Sequence, residues 1–243
     1  MAEQEVIKHT KKVFKIWSNK EHSLWHKTKE FLLEIFIIVF AVSLSIWLHD
    51  KSEYNSQQKE VKEFLSGLKD DLLGDINEMK DDKASYAEQG KAFSYITSVK
   101  PNGTLNRDSL DKYRTLLLTT TRFQQNNGRF EGFKASGKIG DIEDKKLQND
   151  IMDLYQERIP SLLVSTDGYL RWKNQLFDFY IKNMKRITDS TTNILTMFLT
   201  DEAQNLCGFL ANPSEIITRY DVCINQMKAI VSEIENKYGI TGK

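Results

Sequence analysis

The chain has 243 residues, and its 34 basic and 34 acidic side chains cancel to a net charge of zero. This balance excludes the strongly basic surface of a nucleic-acid-binding protein, and the length leaves room for a membrane anchor and one domain with its own hydrophobic core. The charges are unevenly spread, because residues 1–30 hold seven lysines against four glutamates. The first thirty residues are therefore a basic segment at the start of an otherwise balanced chain.

This basic segment has amphipathic spacing. In residues 6–17, VIKHTKKVFKIW, apolar side chains recur on one helical face. The lysines that fall largely on the other face are Lys8, Lys11, Lys12 and Lys15. The pattern is typical of a helix in the headgroup layer of a membrane, where anionic lipid attracts lysine, although a helix packed on a partner subunit has the same pattern. Tryptophan is enriched at membrane interfaces, and we predict that Trp17, Trp25 and Trp47 are interfacial anchors that bracket the hydrocarbon layer at its two interfaces.

Residues 31–48, FLLEIFIIVFAVSLSIWL, are the longest apolar stretch, interrupted after Ile35 only by two serines. An eighteen-residue helix rises about 27 Å, close to the ~30 Å hydrocarbon thickness of a bilayer. The alternative is a buried core helix, but core helices rarely stay apolar on every face for so long. We therefore predict a membrane-spanning helix. Its residues include Phe31, Ile35, Ile38, Phe40, Leu44 and Leu48.

The lysine excess before this span predicts its orientation. By the positive-inside rule, residues 1–30 lie in the cytoplasm, and residues 49–243 form an extracytoplasmic domain. An uncleaved anchor is favoured over a signal peptide, because no small-x-small cleavage site follows the apolar core. Glu34 lies within one turn of the cytoplasmic edge, so we expect its carboxylate to reach water rather than to mark an ion path.

Residues 50–99 predict one very long helix that continues from the span, or two helices broken near Gly90. Apolar side chains recur there at threes and fours, and charged side chains occupy the opposite face. Pro101 ends this pattern. A second helix is expected from about Arg107 to Thr120, with Asn106 as its N-cap.

The remaining helices follow from turn residues and spacing. Helical pieces are expected around 130–135, 144–158 and 162–187, with Pro160 kinking or interrupting the chain between the last two. The final helix is predicted to begin at Asn212-Pro213 and to stop at Gly239. No stretch alternates like a strand, so the predicted fold is all-α, a transmembrane helix followed by a bundle of four or five helices.

Two cysteines, Cys207 and Cys223, would lie on the oxidising side of the membrane in this topology. A disulfide between them is awkward, because a hairpin around Asn212-Pro213 would offset the two residues by about 9 Å along the helix axis. Two buried thiols that act as small hydrophobic side chains are the favoured interpretation, and pairing stays open as the alternative.

The chemistry that most enzymes need is missing from the larger domain. All four histidines precede residue 50, so residues 50–243 cannot form a Ser-His-Asp triad or a histidine zinc site. The two cysteines alone do not make a zinc site, and no EF-hand spacing is present. We therefore expect no catalytic site, no cofactor and no metal.

Three stretches carry a resemblance to an uncharacterised family of bacterial single-span membrane proteins, a domain of unknown function. They are EIFIIVFAVSLSIWLHD (Glu34–Asp50), FEGFKASGKIGDIEDKKLQNDIMDLYQ (Phe130–Gln156) and NPSEIITRYDVCINQMKAIVSEIENKY (Asn212–Tyr238). The resemblance implies an architecture and a bacterial inner membrane location, with the helical domain in the periplasm. It implies no reaction.

Three functions remain open. The leading hypothesis is a single-pass membrane protein whose helical domain binds a protein partner or forms a homo-oligomer. The second is a periplasmic bundle that senses a small ligand and needs a separate transducer, because thirty cytoplasmic residues are too few for an output domain. The third is an oligomeric membrane-perturbing effector, which the scarcity of polar residues in the span disfavours.

Overall fold

The computed structural model describes Ile7, Lys11 and residues 24–100, 103–188 and 191–240. Across these ranges the ordered elements are helices, and the β pairing is limited to one isolated antiparallel bridge between Arg186 and Thr192. The prediction of an all-α chain is therefore confirmed. The chain divides into two units, Met1–Glu60 and Val61–Lys243.

Helix α1, Leu24–Ser98, has 75 residues and contributes to both units. It runs through Gly90 without a break, so the single-helix alternative is the correct one. In the first unit its apolar side chains are exposed, and the rings of Phe36 and Phe40 stack with their centroids 6.1 Å apart. The Ser45 hydroxyl donates to the Ala41 carbonyl at 2.9 Å, which satisfies a polar group in an apolar helix.

The second unit contains the C-terminal part of α1 and a series of further helices. These are α2 (Arg107–Leu118), α3 (Gly128–Ala135), a 3₁₀ turn (Lys138–Asp141), α4 (Lys145–Asp153), a π turn (Leu154–Arg158), α5 (Ile159–Asn183), α6 (Ile194–Met197), α7 (Asp201–Leu210) and α8 (Ser214–Tyr238). Helix α5 packs on α7 and α8, and α4 also packs on α8.

The core of this unit follows the spacing of apolar residues along the helices. On α1, residues three and four apart between Val61 and Ile96 point inward and are less than 6 % exposed. Large aromatic side chains, including Tyr86, Phe93 and Tyr220, fill the centre at 1 % exposure or less. Burial of such side chains is the main source of stability for a bundle of this kind.

Two helix boundaries follow the predicted signals. The Asn106 side chain accepts a hydrogen bond from the backbone N–H of Ser109 at 3.0 Å and caps α2. Gly239 ends α8 in the left-handed conformation, with φ of 62°, which costs glycine little. The asparagine before α2 and the glycine after α8 therefore predicted these two helix ends correctly.

Of the two alternatives predicted at Pro160, the interruption is wrong, and the kink stays a prediction. The chain stays helical from Lys145 to Asn183, with one π turn between α4 and α5. Pro160 lies in the first turn of α5, where a missing N–H removes no α-helical hydrogen bond. The π turn closes with a hydrogen bond from the Ile159 N–H to the Leu154 carbonyl.

Candidate functional site

The predicted span lies in the first unit and is apolar and exposed. Ile35, Phe40, Leu44 and Leu48 are between 41 % and 56 % exposed, while Phe31 and Ile38 are half-buried. Among the described residues, one helix is long and apolar enough to cross a membrane by length and composition. Its most apolar 18-residue window has a mean hydropathy of 2.5 and is 6 % buried.

The predicted interfacial residues are described only in part. Trp25 and Trp47 are 81 % and 60 % exposed, and Lys11 is exposed as well. Lys8, Lys12, Lys15 and Trp17 lie outside the described residues.

Glu34 differs from its neighbours in the span. Its side chain is 4 % exposed, whereas Leu33 and Ile35 on either side are 57 % and 41 % exposed. The expectation that its carboxylate reaches water is therefore not met in this structure.

Cys207 in α7 and Cys223 in α8 are free thiols, exposed by 0 % and 1 %. Burial raises the pKa of the Cys207 thiol to about 12 and that of the Cys223 thiol to about 11. A thiol with so high a pKa is a poor nucleophile at neutral pH. Neither cysteine therefore offers reactive chemistry. Both thiols are buried, as the favoured interpretation predicts, and the disulfide stays the alternative.

The most unusual side chain in the second unit is Lys173, on α5. It is 4 % exposed, although lysine is rarely buried without an ionic partner. Its ammonium group donates to the side-chain oxygen of Gln89 and to the backbone carbonyl of Leu116 at 2.8 Å. It also lies 5.0 Å from the centre of the Phe93 ring, a cation–π geometry.

The C-terminal end of α2 stabilises the Lys173 ammonium group, whereas burial disfavours its charge. Leu116 is in the last turn of α2, where carbonyl groups lack helical partners and the helix dipole favours a cation. No carboxylate of the described residues forms an ion pair with Lys173. Burial therefore lowers the pKa of Lys173 to about 7, and the neighbouring Cys207 offsets this only in part.

A chain of polar side chains leads away from Lys173. The Gln89 amide nitrogen donates to the hydroxyls of Thr121 at 3.0 Å and Ser85 at 3.2 Å, and these two hydroxyls lie 2.7 Å apart. The Tyr86 hydroxyl donates to the Thr121 carbonyl at 2.8 Å. Such networks fix the relative positions of helices because every member needs its partner.

Lys173 lines two pockets. The larger has a volume of about 170 Å³, and the smaller about 10 Å³. Thr120 and Lys173 line both. The larger cavity is also lined by Leu117, Leu118, Asn174 and Phe177. A buried cation beside a cavity is the arrangement in which a perturbed side chain marks a candidate binding site.

The sequence contains a signal for the burial of Lys173. Tyr169, Leu176 and Tyr180 define the buried stripe of α5, and Lys173 falls on the same stripe at spacings of three and four. Gln89 falls in the same way between Tyr86 and Phe93 on α1. A polar residue on an apolar stripe indicates a buried polar contact.

No set of three or more His, Cys, Asp or Glu side chains within the described ranges is placed to hold a metal ion. No family model, characterised protein or solved structure matches this chain. The likeness to the uncharacterised bacterial family therefore stays a prediction from motifs.

Proposed function

We propose that this protein is a single-pass membrane protein whose helical unit acts by binding another protein, as a subunit of a membrane complex or as a homo-oligomer. The observation that carries this proposal is the exposed apolar surface of α1 over residues 31–48, whose most apolar window is 6 % buried. Soluble proteins rarely expose a continuous apolar surface of this size. A lipid bilayer removes that surface from water along the full length of the stretch.

The orientation follows from the lysines that precede the stretch. Seven lysines in residues 1–30 favour a cytoplasmic N-terminus. Residues 49–243 would then lie in the periplasm, if the bacterial inner membrane implied by the family resemblance is correct. The lysines and Trp25 would contact headgroups on the cytoplasmic side, and Trp47 would contact those on the other side.

An exposed aromatic pair on the second unit supports protein binding. The rings of Trp172 on α5 and Phe209 on α7 stack with centroids 4.2 Å apart and planes 10° from parallel. Phe209 is 59 % exposed and Trp172 is 36 % exposed. Aromatic side chains are enriched where proteins bind one another, because they bury a large area at a small entropic cost.

Extraction from membranes tests the anchor. An alkaline carbonate wash should leave the wild-type chain in the membrane pellet. The double variant Phe40→Arg with Leu44→Arg should move to the supernatant, since each arginine near the centre of a span costs about 3 kcal/mol. Trp25→Arg, at the expected interface, should stay in the pellet. Release of the wild-type chain by the wash would contradict the proposal.

Chemical cross-linking in native membranes tests the interaction. We expect adducts larger than the monomer, reduced by Phe209→Asp and unchanged by Val222→Asp, a matched change at a site on α8 that is 42 % exposed. Capture of monomers alone would contradict protein binding without affecting the membrane proposal.

A second function, the sensing of a small ligand by the bundle, is favoured by one observation. Lys173 lines a cavity of about 170 Å³ while lacking an ionic partner in the described part of the chain.

A further inference from the structure

The Lys173 ammonium group is held only by neutral groups. Its two hydrogen-bond acceptors are an amide oxygen and a backbone carbonyl oxygen, and its third contact is the face of an aromatic ring. These dipoles solvate a cation but do not neutralise it. A buried charge without a counter-ion is costly, so an anion that enters the site would be stabilised by pairing with the Lys173 ammonium group.

The cavity beside Lys173 adds two further properties. Leu117, Leu118 and Phe177 give it apolar walls. Thr120 and Asn174 provide polar side chains that have no hydrogen-bond partner among the described residues. The cavity thus combines one cation, two hydrogen-bonding side chains and an apolar wall.

The volume of the pocket favours a small ligand. A volume of about 170 Å³ corresponds to roughly six water molecules at ~30 Å³ each. This is below the ~300 Å³ at which pockets for drug-sized ligands begin. A nucleotide or a sugar phosphate would extend out of the pocket into solvent, and an inorganic anion would leave the apolar wall unused.

We propose that the cavity lined by Lys173, Thr120 and Phe177 binds a short-chain monocarboxylate of two to four carbons. The carboxylate pairs with the Lys173 ammonium group and accepts hydrogen bonds from Thr120 and Asn174, while the alkyl chain packs on Leu117, Leu118 and Phe177. This site goes beyond the proposed membrane interaction and does not depend on it. It supplies a ligand class for the sensing function.

Binding is tested by titrating ¹³C-carboxyl-labelled propionate into the full chain in lipid nanodiscs and following the ligand signal by NMR. We expect saturable binding to the wild-type protein. Propionamide, which has the same shape without the charge, should bind at least about tenfold more weakly. Affinity should fall about tenfold per pH unit once the ammonium group loses its proton, which a purely structural lysine would not cause.

Two variants and one control locate the site. Lys173→Met removes the charge and keeps the length of the side chain, and Thr120→Trp fills the cavity from an exposed position while leaving Lys173 in place. Both should weaken propionate binding by about tenfold or more. Lys182→Met, an exposed lysine on the same helix, should leave it unchanged. If Lys173→Met does not fold, Thr120→Trp alone decides the location.

Several outcomes would overturn the proposal. They are equal binding by wild type and Thr120→Trp, equal binding of propionamide and propionate, and no binding by the wild-type chain at about 20 mM ligand, where even weak sites fill. Displacement of propionate by inorganic phosphate at equal concentration would show a general anion site and would contradict the monocarboxylate assignment. Failure of the membrane extraction test would not affect any of these results.

Discussion

Lys173 on α5 donates a hydrogen bond to the side-chain oxygen of Gln89, which lies 84 residues earlier on α1. Both side chains are at most 4 % exposed. The contact joins two long helices through a buried charge. The Gln89 amide nitrogen in turn donates a hydrogen bond to the Thr121 hydroxyl at 3.0 Å. The stability of the bundle should therefore depend on the protonation of one lysine.

We expect the free energy of unfolding to rise with pH above neutrality. Burial lowers the pKa of Lys173 from 10.5 to about 7, so between these values the unfolded chain binds a proton that the folded chain has released. Stability increases with pH wherever the unfolded state binds more protons. Burial of the charged Lys173 therefore lowers the free energy of unfolding by its full amount below pH 7, and this loss disappears as the pH approaches 10.5.

Urea unfolding of the full chain in detergent micelles at pH 7 and pH 8.5 measures this slope. Lys173→Met should lose the increase, and Lys182→Met should keep it. Equal slopes in wild type and Lys173→Met would show that Lys173 keeps an ordinary pKa in the folded protein.

Helix periodicity predicted most of the helices, but it could not predict the contact between Gln89 and Lys173. The apolar stripes of α1 and α5 each follow from spacing within one helix. Which positions of two stripes meet depends on crossing angle and register, which are set by the packing of all helices together. The sequence thus marks Lys173 as a polar residue on a buried face without identifying its partners.

The error at Pro160 has a similar origin. Proline excludes the interior of a regular helix but is tolerated in a first turn. The π turn Leu154–Arg158 shifts the hydrogen-bond pattern just before Pro160. Pro160 therefore occupies a position equivalent to the first turn of a helix. Propensity alone gives no indication of such a turn, because it depends on how Leu154 and Ile159 pack into the core, where both are fully buried.

A second buried charge should have the opposite pH dependence. Asp75 on α1 is 0 % exposed and accepts hydrogen bonds from the Asn126 side-chain nitrogen at 2.6 Å and the Asn126 backbone N–H at 3.2 Å. Burial raises its pKa from 3.8 to about 6, although the bonds from Asn126 oppose the shift. The folded chain therefore binds this proton more tightly than the unfolded chain does.

The contribution of Asp75 to the free energy of unfolding should grow as pH falls from about 7 to about 4. Asp75→Asn should remove this increment, and Asp70→Asn, an exposed site on the same helix, should retain it. Urea unfolding at pH 7 and pH 4.5 gives the comparison. An Asp75 carboxyl that titrates below pH 4 by NMR would refute the prediction.

The two cysteines should be unreactive in the folded protein and reactive once it unfolds. Cys207 and Cys223 are buried, and their raised pKa values keep them as thiols at pH 8. Without reductant, iodoacetamide should add nothing to the native chain and two adducts to the urea-unfolded chain, as counted by mass spectrometry. Adducts that form only after reduction would instead demonstrate the disulfide.

Two glycines on α1 should respond to alanine in opposite directions. A Cβ atom at Gly90 would lie 2.7 Å from Pro213 Cδ and 2.9 Å from Cγ, whereas a Cβ at Gly74 would meet no atom closer than 3.7 Å. Gly90→Ala should therefore lower the free energy of unfolding by about 1–2 kcal/mol through overpacking against a rigid ring. Gly74→Ala should raise it by up to about 1 kcal/mol, because alanine favours the helix.

Chemical unfolding of both variants beside the wild type checks this pair. Gly90 would then be required by the close approach of the turn before α8, rather than by a break in α1. That interpretation would be wrong if Gly90→Ala were as stable as Gly74→Ala, since the turn at Pro213 would then move aside at no cost.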